Sequence, residues 1–447
     1  MNMKAIPTKE LSLFDSSCVI VGIILGAGIY EITPTVASCM NGWKGILGVW
    51  LAGGFFALTG ALCYAELATT YPKEGGDYIY QTRAYGKWAG YLFGWSQLVI
   101  IRPGDIALMS FVFARYASTL YSPFPNIILL YAALAVFLLT SINILGVKEG
   151  KYTQNLLTTI KSVGLLLIIV AGLLAPVKSS IPVEMATSVN IDLKLSLILV
   201  MFTFGGWNEM AYVAAEIKSP EKNIVRALVI GTISITVLYV LVNFSFLSAL
   251  GYENMASSQA IAVDTLATLV PDSAARLISI LICISALGAI NGLIFTGARI
   301  SYAMGSDHSM FRGLGAWNPK SGTPVRALIL QGLLSLGFVL FAGSFIDTIL
   351  YTAPVVWLFF LATGISVFIL RKKDSSTPRP YKVAGFPFTV ILFCASCIFM
   401  FYNSLTYAIA SKPIGLIVIF SVVFLGIIIY GLSKKWGSSL NYLYRRE

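Results

Sequence analysis

Charge is scarce in this chain. Only 11% of its 447 residues are Asp, Glu, Lys or Arg, 57% are hydrophobic, and the mean hydropathy is +0.81. Such a composition excludes a water-soluble domain with a solvated surface. Histidine is scarcer still, with His308 the single example. One imidazole completes neither a metal centre nor a nucleophile–base pair, so hydrolase and metalloenzyme chemistry lack their usual parts. The six cysteines, Cys18, Cys39, Cys63, Cys283, Cys394 and Cys397, all fall in or at the edge of apolar runs. Cys394 and Cys397 have redox spacing but no ligand partners beside them, and read as packing. Gly75-Gly76 lies in a polar loop but is followed by no Lys-Ser/Thr, which argues against a phosphate cradle. No cofactor and no metal is expected.

What the chain has is apolar length. Segments of the ~20 residues needed to cross hydrocarbon recur at roughly 14–40, 45–71, 86–121, 124–146, 154–176, 193–217, 225–250, 274–304, 326–345, 347–370, 386–410 and 413–433. These twelve predict an all-α integral membrane protein with no soluble domain between spans. The first run is too long and too Gly-broken for a cleaved signal peptide. The net charge of +11 is distributed by side rather than by patch. With the N-terminus inside and the loops alternating, 23 of the 31 Lys and Arg fall inside and 6 outside (Lys44, Arg115, Lys178, Lys194, Arg276, Lys412). Carboxylates divide as 10 inside, 6 outside and 4 within spans, so the excess is +13 on one side and zero on the other. This positive-inside bias predicts cytoplasmic N- and C-termini in the cell (inner) membrane. It also reads the basic end Tyr442-Leu443-Tyr444-Arg445-Arg446 as a juxtamembrane anchor, not a nucleic-acid arm.

Two of the twelve spans are interrupted. Span one carries Ile24-Leu25-Gly26-Ala27-Gly28-Ile29, with Pro34 beyond. Gly22-x-x-x-Gly26 alone would be a helix-packing face, but that leaves Gly28 unexplained. Two glycines at one depth weaken a helix by about 1 kcal/mol each, and non-helical backbone within a bilayer is tolerated only in protein or against a water-filled cavity. Span six repeats the pattern in Phe202-Thr203-Phe204-Gly205-Gly206-Trp207-Asn208-Glu209. Interrupted segments at matching places in two halves mark a transporter binding site. Five spans per half also inverts the second half relative to the first, giving residues 1–180, 181–372 and a remainder, 373–447, with two further spans that read as peripheral. Exposed amides at a half-helix start favour an anion and carbonyls at a half-helix end favour a cation.

Other polar residues lie at unusual depth. Arg102 sits mid-span before Pro103-Gly104, with Asp105 as one candidate partner. Lys161 either snorkels to the inner interface or faces the bundle. Asn291 lies among small residues in span eight, and Trp357 and Pro354 in span ten. The outer loop Tyr252–Asp272 is long enough for a short lid helix.

Taken in order, several pieces resemble the amino acid–polyamine–organocation transporters, and within them the L-type amino acid transporter branch. They are Gly26-Ala27-Gly28-Ile29, Glu66, Pro72, Gly75-Gly76-Asp77-Tyr78, Ile101-Arg102-Pro103, Phe113-Ala114-Arg115-Tyr116, Lys161, Phe202–Asn208, Asn291-Gly292 and Arg379-Pro380-Tyr381-Lys382-Val383. The resemblance implies a LeuT-type fold of two inverted five-helix repeats plus two C-terminal helices. It implies that Gly26, Ala27 and Gly28, flanked by Ile24 and Ile29, hold the substrate carboxylate. Carbonyls around Phe202 and Gly205, with Phe204, Gly206 and Trp207 at the same break, would hold the ammonium. Phe202 would be the aromatic gate, Asn208 a polar pocket contact and Trp357 a pocket wall. Lys161 matches a lysine that stands in for a sodium site, with Asn291 as a further structural or coupling residue. Sodium-independent amino acid exchange is the implied mode. Glu31, Asp105 and Glu209 depart from the branch, which has uncharged residues there. Asp105 and Glu209 are candidate selectivity residues, and Glu209 faces either the pocket or the bundle. The loop Tyr121–Asn126 lacks the cysteine by which animal members bind a heavy subunit, so no heavy-chain partner is expected. The expected partners are an amino acid and the lipid bilayer.

The leading expectation is therefore a sodium-independent exchanger of neutral L-amino acids working by alternating access. The alternatives are a cationic amino acid or polyamine transporter, or proton-coupled amino acid uptake. A channel would need continuous polar rings, which are absent from the sequence. A membrane enzyme would need a reactive cluster. A transport-dead sensor shares every one of these sequence features.

Overall fold

The computed structural model describes residues 8–125, 127–175, 192–341, 345–411 and 413–443. Lys178, Lys412 and the basic end Tyr444-Arg445-Arg446 lie outside the described residues. Among those described, helix dominates, with two isolated β-bridges (Leu11–Ile217 and Asn318–Thr323) and no strand. Among the described residues, nine helices are long and apolar enough to cross a membrane, or ten if the bent pair at the start is one span. Two shorter apolar helices, Val325–Leu340 and Phe420–Ser433, accompany them. The chain is a multi-pass membrane protein.

The first run forms α1 (Leu13–Ile24) and α2 (Gly28–Cys39), which meet at 47° across the glycine break. Ser12 starts α1 through a capping box with Asp15, satisfying amides that the helix itself leaves free. Next come α3 (Gly42–Thr70) and α4 (Asp77–Tyr85). The sequence promised only a tight turn after α3. Instead the turn launches a nine-residue helix held on the later span α14 by Gln81 and Tyr85, which bond Phe359, Thr363 and Ala362. Gly75 (φ +92°) and Gly76 (φ +43°) make this entry possible, Gly76 lying against Ala211 and Tyr212.

A π-helical turn, Gln97–Ile101, joins α5 (Lys87–Ser96) to α6 (Arg102–Leu120) within one continuous span. Pro103 has no N–H to give to the carbonyl four residues back, and the ladder widens just before it. The chain continues through α7 (Ile127–Leu145), α8 (Val147–Leu174) and α9 (Leu193–Thr203). A 3-10 helix, Trp207–Glu216, then leads to α10 (Pro220–Ser257). The outer loop does carry a short helix, α11 (Ile261–Ala267). The remaining elements are α12 (Ala274–Asp307), α13 (Val325–Phe341), α14 (Phe345–Lys373), α15 (Phe388–Ser411) and α16 (Pro413–Leu443).

The helices are turned with polarity inward. On α8, Gln154, Thr158, Lys161, Leu165 and Ile168 are buried at helical spacing, whereas Leu166, Leu167 and Val170 face out. In lipid this is the favourable arrangement, because polar groups find partners only inside the bundle. One expectation needs correction: α15 is not merely peripheral. Its Phe393 packs edge-on against Trp207, 5.7 Å between ring centres, and touches the space left by Gly60. A glycine on α3 opens that path, which hydropathy alone does not register.

Candidate functional site

Both breaks open onto one cavity of about 170 Å³. A single water needs only ~10–15 Å³, so the space fits a small organic molecule. From the first break it is lined by Ile24, Gly26 and Gly28, and from the second by Phe202, Gly205, Gly206, Trp207, Asn208 and Glu209. Asp105 on α6 and Trp357 on α14 complete the predicted residues on its wall. The two breaks also touch directly. A Cβ on Gly28 would lie 3.3 Å from the Thr203 side chain, and one on Gly206 would lie 2.6 Å from Ile23. Gly206 has φ +114°, a conformation that L side chains rarely adopt. Gly26 is different: an added Cβ would meet nothing nearer than two backbone oxygens at 3.9 Å. The close-packing glycines are therefore Gly22, against Gln154 and Thr158, and Gly28; Gly26 faces open space.

At the first break the half-helix polarities are arranged to bind. α2 begins at Gly28; at the break the Gly26 amide donates to the Ile24 carbonyl at 2.7 Å and that of Tyr30 to the Ala27 carbonyl at 3.0 Å, which leaves the amides of Ala27, Gly28 and Ile29 without a backbone partner among the described residues. The end of α1 is already satisfied. Lys161 donates to the Gly22 carbonyl and lies 3.4 Å from that of Ser285; Tyr239 donates to the Ile24 carbonyl at 2.7 Å and Ser285 to the Leu25 carbonyl at 2.9 Å. Lys161 is fully buried and does not snorkel; its amine meets the C-terminal end of α1. The free polar ends at this break are thus mainly N–H groups, which suit an anion. At the second break α9 ends at Thr203; its Phe202 carbonyl accepts from the Gly205 amide at 2.9 Å and its Thr203 carbonyl lies 3.3 Å from the Tyr239 hydroxyl, each keeping a second lone pair.

Three of the predicted substrate-binding residues do not line the cavity. Ile29 is completely buried in the core, and the Ala27 side chain packs there too, so Ala27 offers only backbone. Phe204 points away, stacked edge-on with Tyr239 at 5.2 Å and tilted against Trp50 at 6.2 Å. Two residues, about half a helical turn, separate Phe204 from the cavity-facing Phe202, and the direction of the break decides which ring faces the space. Asn291 is also elsewhere, bonded to Asn143, Gly150 and Gln154 where α7, α8 and α12 meet.

The buried charges pair differently from the local expectation. Arg102 does not bond Asp105. Its Nη2 bonds Glu209 at 2.6 Å and its Nε bonds Gln97 at 3.0 Å. Glu209 also accepts from Thr296, so this carboxylate both touches the cavity and ties α6, α12 and the 3-10 helix together. Asp105 has neither a hydrogen bond nor an ion pair among the described residues. Glu31 accepts from Tyr116 at 2.6 Å, away from the cavity.

Several residues of this machinery were missed. Asp77 was read only as part of a turn, yet it is fully buried and accepts from Tyr64, Thr363 and, at 2.8 Å, Tyr212. Tyr212 in turn accepts from Asn208 at 2.8 Å, so a hydrogen-bond chain runs from the cavity wall to α4. Burial pushes the Asp77 carboxyl up to about 6, against the downward pull of its three donors. Arg299 and Glu216 form a buried two-pronged pair at 2.7 and 3.0 Å. Glu66 holds Arg371 at 2.8 Å and the Val383 amide at 2.7 Å. Leu11 pairs with the segment after the 3-10 helix through two backbone bonds of 2.9 Å. These ties all lie at the end of the bundle that carries Leu11. Gly-Gly-Asp-Tyr was the available signal for the first of them; Tyr64 is 13 positions away, but Tyr212 and Thr363 are 135 and 286 away.

Apolar helices around one cavity, with two of them broken where they meet it, define a membrane transporter. The chain belongs to the amino acid permease family, whose model matches residues 11–433, and it is an amino acid transporter rather than an enzyme. It is 32% identical over 394 residues to the mouse b(0,+)-type amino acid transporter 1, covering 86% of this chain and 80% of that one. It is 30% identical to the human large neutral amino acids transporter small subunit 2, over 96% of this chain and 81% of the relative. It is 29% identical to the serine/threonine exchanger SteT of Bacillus subtilis (strain 168), over 96% and 98% respectively.

Proposed function

We propose that the protein exchanges L-α-amino acids, neutral ones foremost, without sodium and by alternating access. The observation that carries this reading is the single cavity onto which both helix breaks open. The amides of the Gly26-Ala27-Gly28 break take the carboxylate, and carbonyls at the end of α9 take the ammonium. Phe202 closes the outer side, Trp357 forms a wall, and Asn208 reports occupancy through Tyr212 to Asp77. Lys161 occupies the end of α1 with its amine, which supports the sodium-independent mode. The twelve-span, five-plus-five inverted arrangement fits the positions of the two breaks. The end bearing Leu11 is then cytoplasmic, in the cell membrane, and no heavy-chain partner is required. The names of the relatives, a large neutral amino acids transporter and a serine/threonine exchanger, agree with neutral substrates.

A polyamine has no carboxylate to satisfy the first break, so that alternative is weaker. Cationic amino acids lose one of their supports, because Glu209 is neutralised by Arg102. The deciding experiment is uptake of labelled amino acids into proteoliposomes, with and without internal amino acid, sodium or a proton gradient. Leucine, alanine or serine uptake that requires internal amino acid and ignores both gradients is expected. Sodium stimulation, equal uptake into empty vesicles, or lysine and arginine outcompeting leucine and alanine would overturn the respective element. Binding without flux would indicate a sensor.

A further inference from the structure

A backbone clamp reads what all α-amino acids share, so discrimination must come from side chains around the rest of the cavity. Along the π-helical turn and the start of α6 the cavity is lined by Gln97, Ile101, Arg102, Asp105, Leu108 and Met109. Three are apolar, Gln97 and Arg102 are tied to each other and Arg102 to Glu209, and Asp105 is a carboxylate. A carboxylate on an apolar wall inside a membrane protein is costly unless paired. The nearest local cation, Arg102, is committed to Glu209 and Gln97. Asp105 is half-buried and unpartnered among the described residues, with its side chain on the cavity. The π-helical turn immediately before α6 sets the phase that brings it there.

We infer that Asp105 is the side-chain recognition residue of this transporter, accepting a hydrogen bond from a donor on the substrate's own side chain. The assignment rests on the α-amino acid reading above. A carboxylate oxygen accepts hydrogen bonds, so the favoured substrates carry a hydroxyl, amide or amine beyond Cβ. A site built around such an acceptor rejects an isosteric side chain lacking the donor far more strongly than an apolar pocket rejects a missing methylene.

The test uses isosteric pairs in proteoliposome exchange: threonine against valine for a neutral donor, and lysine against norleucine for a cationic one. In the wild type the donor-bearing member of at least one pair is preferred by about ten-fold or more, the scale of one hydrogen bond to a charged group. Asp105→Leu reduces that preference to near unity while alanine exchange continues, and Asp105→Asn retains part of it. Failure of alanine exchange in the wild type would sink the transport reading itself. If alanine exchanges but neither pair discriminates, or if Asp105→Leu preserves the preference, the assignment of Asp105 is overturned. A response confined to lysine would keep Asp105 in its role and replace the neutral substrate class by a cationic one.

Discussion

Two glycines on the same cavity respond in opposite ways to one methyl group. At Gly206 the backbone has φ +114° and an added Cβ would lie 2.6 Å from Ile23 Cγ2. Leaving the normal backbone region costs an L-residue about 1–2 kcal/mol, and forcing a methyl into a filled space adds about 1–3 kcal/mol. Gly206→Ala is therefore expected to destabilise the protein by roughly 2–5 kcal/mol. At Gly26 the methyl meets nothing nearer than 3.9 Å. Gly26→Ala leaves stability unchanged or raises it by a few tenths of a kcal/mol, but in the proposed clamp its methyl stands where the substrate carboxylate would lie. Losing one charge-assisted hydrogen bond costs about 1.5–3 kcal/mol, or roughly 10- to 100-fold in affinity. The assay pairs thermal unfolding in detergent with substrate affinity measured on the same preparations. Gly206→Ala lowers the midpoint by several degrees, and Gly26→Ala holds the midpoint while affinity falls. Equal destabilisation by both, or wild-type affinity in Gly26→Ala, would refute the division between a packing glycine and a binding glycine.

Glu209→Gln strips a buried guanidinium of its counter-charge, at about 3–5 kcal/mol. Reduced folded protein and equal loss of lysine and leucine transport are expected, and selective loss of lysine would place Glu209 in substrate contact instead. Lys161→Met leaves the Gly22 carbonyl unsatisfied, a cost of about 1–3 kcal/mol, and should slow exchange about ten-fold; an unchanged exchange rate and pH profile would remove Lys161 from the mechanism. For Asp77 the sign follows from its raised value: the folded state binds this proton more tightly than the unfolded chain. Its contribution to stability is full below pH about 4 and is lost as pH rises through about 6. Asp77→Asn should flatten that part of the stability profile measured in detergent between pH 4 and 7.5, and an unchanged profile would contradict it.

Hydropathy and glycine spacing made much of this protein legible from the chain alone. In a bilayer each span must satisfy its own backbone, so span positions, the break at Gly26–Gly28 and its counterpart at Gly205–Gly206 are local properties of sequence. Which side chains face the cavity is not local. Phe202 and Phe204 are equivalent by composition, and the geometry of the break put only Phe202 on the wall. Arg102 and Asp105 are a plausible pair at helical spacing, yet Arg102 reaches 107 positions along the chain to Glu209. That choice left Asp105 free on the cavity. Asp77 became a hub only because α3, α4, α14 and the 3-10 helix converge on it. Buried polar groups take whichever partner the packed helices bring within hydrogen-bond reach, since none can be left to water. The sequence by itself determined where the helices run and break; the tertiary structure decided which charges pair and which face the cavity, because only packing brings distant groups together.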